Sequence, residues 1–158
     1  MKTIWKTNKS IKNNKITLYD IRLFIISLIE IHTLKIIAAI LLAFGLLTLF
    51  LSGSVIFDFL GIREREGNYV LFIVWANFIS SLIYLVSAYG FALAKKWTTL
   101  LLFSSVLILF GSFIGLLVYV NAGGIHEAKT IGAMIFRTVV TSVFTGLSYF
   151  LITKNDGN

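Results

Sequence analysis

The sequence predicts an all-α membrane protein, a four-transmembrane-helix bundle preceded by an N-terminal amphipathic interfacial helix. Three observations predict it. From Ile36 to Thr153 the chain is a series of long apolar runs joined by short polar connections. Charged residues make up 13% of the sequence, against about 25% in soluble domains. The basic residues gather on alternate connections, as expected when one side of a membrane retains them. Proline is absent, which removes the commonest source of sharp kinks in the spans. Cysteine is absent too, which excludes disulfides, thiol redox chemistry and thiolate metal sites.

Residues 1–15 carry Lys2, Lys6, Lys9, Lys12 and Lys15 and little apolar surface. They are expected to form a flexible basic arm that meets anionic lipid head groups. The run lacks aromatic interleaving, so nucleic acid is not the expected partner. Residues 16–35 are mixed. Their apolar centre, Leu23 to Ile29, is too short to cross about 30 Å of hydrocarbon. Asp20 and Glu30 fall near one helical face, and the segment reads as a helix lying on the membrane surface. A partly inserted extra helix is the alternative.

Residues 36–57 form the first expected span, bordered by Lys35 and Asp58. Ala38, Gly45 and Ser52 recur at spacing seven and draw a narrow stripe of small residues, which lets helices approach closely in lipid. The polar lead-in and the length of the run point to an uncleaved signal anchor, not a secretory signal. The connection 58–68 holds Arg63-Glu64-Arg65-Glu66, whose charges cancel. Residues 69–94 form the second span, in which Asn77, Ser81 and Tyr84 share a face. Lys95 and Lys96 make a minimal turn. Residues 97–120 form the third span, with a GxxxG at Gly111 and Gly115. Residues 130–153 form the fourth, with Thr138, Thr141, Thr145 and Ser148 along one side. A short polar tail, 154–158, follows.

Orientation follows from charge. With the amino terminus inside, the inner side holds the basic residues before Ile36 together with Lys95, Lys96 and Lys154. The outer side holds only Arg63, Arg65 and Lys129. Both termini are therefore expected in the cytoplasm, and the chain in a cell (inner) membrane. This layout resembles that of small four-span bacterial membrane proteins.

The stretch from Asn121 to Arg137 is where chemistry concentrates. It holds Gly123-Gly124, His126, Glu127 and Arg137, the only charged side chain inside a long apolar run. The second and fourth spans run in the same direction. Asn77 lies eight residues past Tyr69 and Arg137 eight past Lys129, so both are about 12 Å deep. An arginine at such depth costs about 2.5–3.5 kcal/mol and must find acceptors inside the bundle. The expected ligand-binding set is Arg137, Asn77, Tyr84, Thr141, His126 and Glu127, with Arg137 taking an anionic or carbonyl-bearing ligand. The alternative is a structural Arg137 that snorkels or ties down loop carboxylates.

No metal and no cofactor is expected. His126-Glu127 offers two ligands where a site needs three or four, and His32 lies on the opposite face. Nucleophile elbow, P-loop, dinucleotide fingerprint and HExxH are all missing. No carboxylate lies inside a span, which argues against proton-coupled export. The first functional expectation is a non-enzymatic accessory or scaffold protein, associating with itself or another membrane protein through its small-residue stripes. The second is a small-molecule or lipid binder or carrier centred on Arg137 and Asn77. A membrane enzyme using His126 and Glu127 is the third.

Overall fold

The computed structural model describes residues 2–61 and 68–154, with side chains from Asp20 onward except Ser27 and Leu60. The Arg63–Glu66 charge run, the lysines of the amino-terminal arm and the tail beyond Lys154 therefore lie outside the described side chains. The described residues are helical, with no strand among them.

Helix α1 runs from Lys2 to Ile56, 55 residues without a break, or about 82 Å at 1.5 Å per residue. It continues across the expected borders at residues 15 and 35. The physical reason is local: no glycine or proline occurs before Gly45, so a change of polarity at Lys35 has no helix breaker behind it. Side chains from Asp20 to Thr33 are exposed where described, and Leu34 is the first to pack on the core. The helix stops at a turn in which Asp58 takes φ 54 and Gly61 takes φ 65. A single 3-10 turn, Phe59–Gly61, lies between.

Helices α2 (Leu71–Ala92), α3 (Trp97–Asn121) and α4 (Ala128–Ser148) follow. α4 continues into a π-helical turn, Tyr149–Thr153. Four segments are long and apolar enough to cross a membrane: Asp20–Ile56, Leu71–Ala92, Trp97–Asn121 and Ala128–Thr153. Two of the turns share one capping device. After α2, Lys95 N–H donates to Gly90 O at 2.9 Å and Ala94 N–H to Phe91 O at 3.1 Å, with Ala94 at φ 50. After α3, Gly124 N–H donates to Tyr119 O and Gly123 N–H to Val120 O, both at 3.0 Å, with Gly123 at φ 83. Both are Schellman caps, which satisfy the last carbonyls of a helix through one left-handed residue. Gly123-Gly124 is thus a helix stop. A Cβ at Gly124 would also collide with the Tyr119 ring.

Successive helices pack side by side, and the first packs little on the last. On α1 the buried positions Ala38, Leu41, Gly45, Thr48, Ser52 and Val55 follow a three–four alternation, which makes one seam. The seam is small-sided, and α2 comes close along it. A Cβ at Gly45 would stand 3.1 Å from Tyr84 Cβ and 3.2 Å from Leu85 Cδ2. Leu102, Leu109 and Leu116 of α3 and Met134 and Phe144 of α4 complete the core. Polar side chains are also inside: Asn77, Ser80, Ser81, Thr98, Ser105 and Thr141 are buried, while Phe, Leu and Ile cover the outside. That is the reverse of a water-soluble domain and suits helices whose solvent is lipid.

A candidate ligand pocket between the first, second and fourth helices

The last turns of α1 and the first turns of α2 and α4 enclose an open cavity of about 280 Å³. Its walls come from a repeated spacing. Tyr69, Val70, Ile73, Val74 and Asn77 line it from the start of α2, and Lys129, Thr130, Ala133, Met134 and Arg137 from the start of α4. Both sets read i, i+1, i+4, i+5, i+8, the trace of one helical face. α1 adds Leu51, Ser52 and Val55. Most of the lining is aliphatic, with a few polar groups, as ligand sites generally are.

The polar groups are not equivalent. Asn77 is 4% exposed, and its Oδ1 has no hydrogen-bond partner among the described residues. A buried carbonyl left unpaired costs about 1–3 kcal/mol. Ser52 is engaged: its hydroxyl donates to Thr48 O at 2.6 Å. Lys129 Nζ lies 3.2 Å from Glu127 Oε2, an ion pair at the rim. Arg137 is half-buried and brings a fixed fork of donors to the wall opposite Asn77.

Tyr84 and Thr141 meet beneath the pocket but do not line it. Their hydroxyl oxygens are 2.5 Å apart. Thr141 donates to the carbonyl of Arg137 at 2.7 Å, so its single proton is committed and Tyr84 is the donor to Thr141. The link therefore reaches Arg137 through its backbone. Three other hydroxyls of α4 bond back to their own helix: Thr138, Ser142 and Thr145 donate to Met134 O, Thr138 O and Thr141 O. At the opposite end of the bundle Thr99 bridges Ser148 and Thr153, at 2.7 and 3.0 Å.

Among the six expected ligand-binding residues, Arg137 and Asn77 thus share the cavity. Tyr84 and Thr141 support it from below. Glu127 reaches it only through Lys129, and His126 sits outside, its Nδ1 3.2 Å from Gly124 O. No cluster of three metal-binding side chains occurs among the described residues. Sequence reasoning missed Lys129, Thr130 and Tyr69 as wall residues, although the four-residue spacing back from Arg137 and Asn77 leads to them. The small-residue positions divide as well. Ala38, Gly45 and Ser52 face α2 from inside the bundle. Gly115 packs near the Phe72 ring, and Gly111 has nothing within 4 Å of where its Cβ would stand.

Comparison with known protein families, characterised proteins and solved structures finds no match.

Proposed function

We propose that this chain is a membrane-embedded binding or carrier protein whose ligand, a small molecule or lipid bearing an anionic group, sits between Asn77 and Arg137. The carrying observation is the Asn77 amide: its Oδ1 is buried in the wall of an open cavity that Arg137 also lines, without a donor among the described residues. A polar atom desolvated at such cost is accounted for when a bound molecule supplies the missing donor. An arginine in the facing wall suits an oxyanion, which its planar fork holds by two parallel hydrogen bonds.

In this reading the four helices cross a cell membrane with both termini in the cytoplasm, on the positive-inside argument. The pocket then opens in the outer half of the bilayer. The basic run from Lys2 to Lys35 lies on the inner side, where anionic head groups attract it. The test is native mass spectrometry of the protein extracted gently from its own membrane. A reproducible extra mass that disappears in Arg137→Ala supports the reading. A bare protein, or a mass indifferent to the substitution, counts against it.

The second reading is an accessory or scaffold subunit. It rests on Gly111, a small residue of a GxxxG with nothing from the described residues within 4 Å of where its Cβ would stand.

A further inference from the structure

We infer that α1 and α2 form a second binding site, a phenylalanine-walled cavity that takes a membrane-soluble molecule with a flat ring bearing one oxygen. The site goes beyond the binding reading above, because the two cavities share no lining residue. α1 turns one face, with Leu51, Ser52 and Val55, to the first cavity. Its other face turns Gly53 and Ser54 to the second, as a buried floor. Phe50, Phe57 and Phe59 surround that floor, each more than half exposed. Phe78 and Leu82 of α2 stand across from it. The cavity holds about 370 Å³, inside the range of about 300–1,000 Å³ usual for ligand sites.

The Ser54 hydroxyl carries the argument. It lines this cavity, the residue is 1% exposed, and Oγ has no hydrogen-bond partner among the described residues. Ser52, two residues away, donates to Thr48 O of its own helix at 2.6 Å. Other unpaired buried hydroxyls, such as those of Ser80 and Ser87, line neither cavity. A buried hydroxyl left unpaired is costly and calls for a partner. A hydrocarbon chain has none to offer, so the occupant brings an oxygen. The walls select its shape. The Phe57 ring lies 5.8 Å from that of Phe59 and 6.1 Å, edge to face, from that of Phe78. Phe78 in turn meets Trp75 edge to face at 5.8 Å. A flat ring extends this series of ring contacts. A straight chain gains nothing over bulk lipid, whose tails are as apolar as the walls. Gly53 gives the floor its depth. A Cβ there would stand 3.7 Å from Phe78 Cε2, an ordinary contact. Packing therefore does not require glycine at this position, although glycine weakens a helix relative to alanine.

The experiment uses the full-length protein in nanodiscs and three radiolabelled probes: 2-naphthol, naphthalene and 1-decanol. The readout is saturable uptake above that of empty nanodiscs, which removes simple partition into lipid. 2-Naphthol is expected to bind about fivefold more tightly than naphthalene, the factor of one net hydrogen bond. 1-Decanol, with the oxygen but no ring, is expected to show no saturable uptake. Ser54→Ala is expected to bring the two ring probes to equal affinity, with thermal unfolding measured alongside to show an intact fold. Gly53→Leu, which extends a side chain over the floor, is expected to abolish uptake of both. Equal binding of 2-naphthol and naphthalene to the unmodified protein, or a preference that survives Ser54→Ala, overturns the role of the hydroxyl. Saturable uptake of 1-decanol matching that of 2-naphthol overturns the ring. Absence of saturable uptake of every probe overturns the site, and leaves the Asn77 cavity to its own test.

Discussion

Asn77 and Arg137 belong to the first turns of two helices that start at the same end of the bundle, and they line one cavity from separate walls. Each closes an i, i+1, i+4, i+5, i+8 series, the first beginning at Tyr69, two residues before α2, and the second at Lys129 on α4. The pairing thus follows from two helices entering together and turning equivalent faces inward. The two residues differ in what they lack. Asn77 Oδ1 has no donor among the described residues, whereas Arg137 has an interaction of its own.

That asymmetry predicts a trade between stability and binding at Asn77. Replacing an amide whose oxygen is buried and unpaired among the described residues by an apolar group of similar volume removes a desolvation cost. Asn77→Leu is therefore expected to stabilise the ligand-free protein by about 1 kcal/mol while abolishing ligand retention. Thermal unfolding in detergent and native mass spectrometry of the same sample check the two halves. A destabilised Asn77→Leu would mean that the amide holds the helices together in the empty protein.

Arg137 separates the ligand role from the structural one. Arg137→Lys keeps the charge and loses the bidentate fork. Ligand retention is expected to fall at least about tenfold, because a charge-assisted hydrogen bond is worth about 1.5–3 kcal/mol. The unfolding temperature is expected to change little. Arg137→Ala lowering stability equally with and without ligand would assign the arginine to packing.

How much of this was legible in the sequence is decided residue by residue. Asn77 and Arg137 could be matched because depth along a helix is a count, and an arginine in an apolar run is conspicuous. Lys129 was not, because a lysine beside a glutamate reads as a solvated loop until the helix starting at Ala128 turns it toward the cavity. The Tyr84–Thr141 bond depends on which faces of α2 and α4 meet, and a single-helix pattern leaves that open. The continuity of α1 across Lys35 has a different origin. Polarity changes at Lys35, but helix continuity is set by the backbone, and no breaker occurs there. The π-helical turn at Tyr149–Thr153 has no sequence signal that we can identify.

Packing on the α1 seam gives a prediction independent of ligand. A Cβ at Gly45 would stand 3.1 Å from Tyr84 Cβ, an atom that moves only if α2 moves. Gly45→Val is expected to destabilise by about 1–3 kcal/mol through overpacking. Gly146→Ala, with nothing within 4 Å of its Cβ, is the control and is expected to be neutral or slightly stabilising, since alanine is the better helix former. Unfolding temperatures in one detergent compare them. Equal behaviour of the two variants would mean that α1 and α2 are not held at this distance.

Orientation is checked by a reporter fused after Asn158. The basic residues before Ile36, with Lys95, Lys96 and Lys154, are expected to hold their side in the cytoplasm, so a cytoplasmic reporter should be active there. Activity of a periplasmic reporter at that position instead would overturn the orientation or the number of crossings, and with it the outer-half location of the pocket.

The two glycines of the GxxxG on α3 are expected to behave differently, and the difference separates scaffold from binder. Gly115 lies near the Phe72 ring of its own chain, 3.4 Å from where a Cβ would stand, whereas Gly111 faces open space. Gly115→Leu should therefore disturb the α2–α3 contact and lower the unfolding temperature of the isolated chain. Gly111→Leu should leave that temperature unchanged. If α3 docks on a partner helix, Gly111→Leu abolishes co-purification of that partner, because close helix approach in lipid depends on small side chains at the crossing. If association survives Gly111→Leu, the outward face of α3 is lipid-facing surface, and the small residues of this helix serve only the packing of the chain on itself.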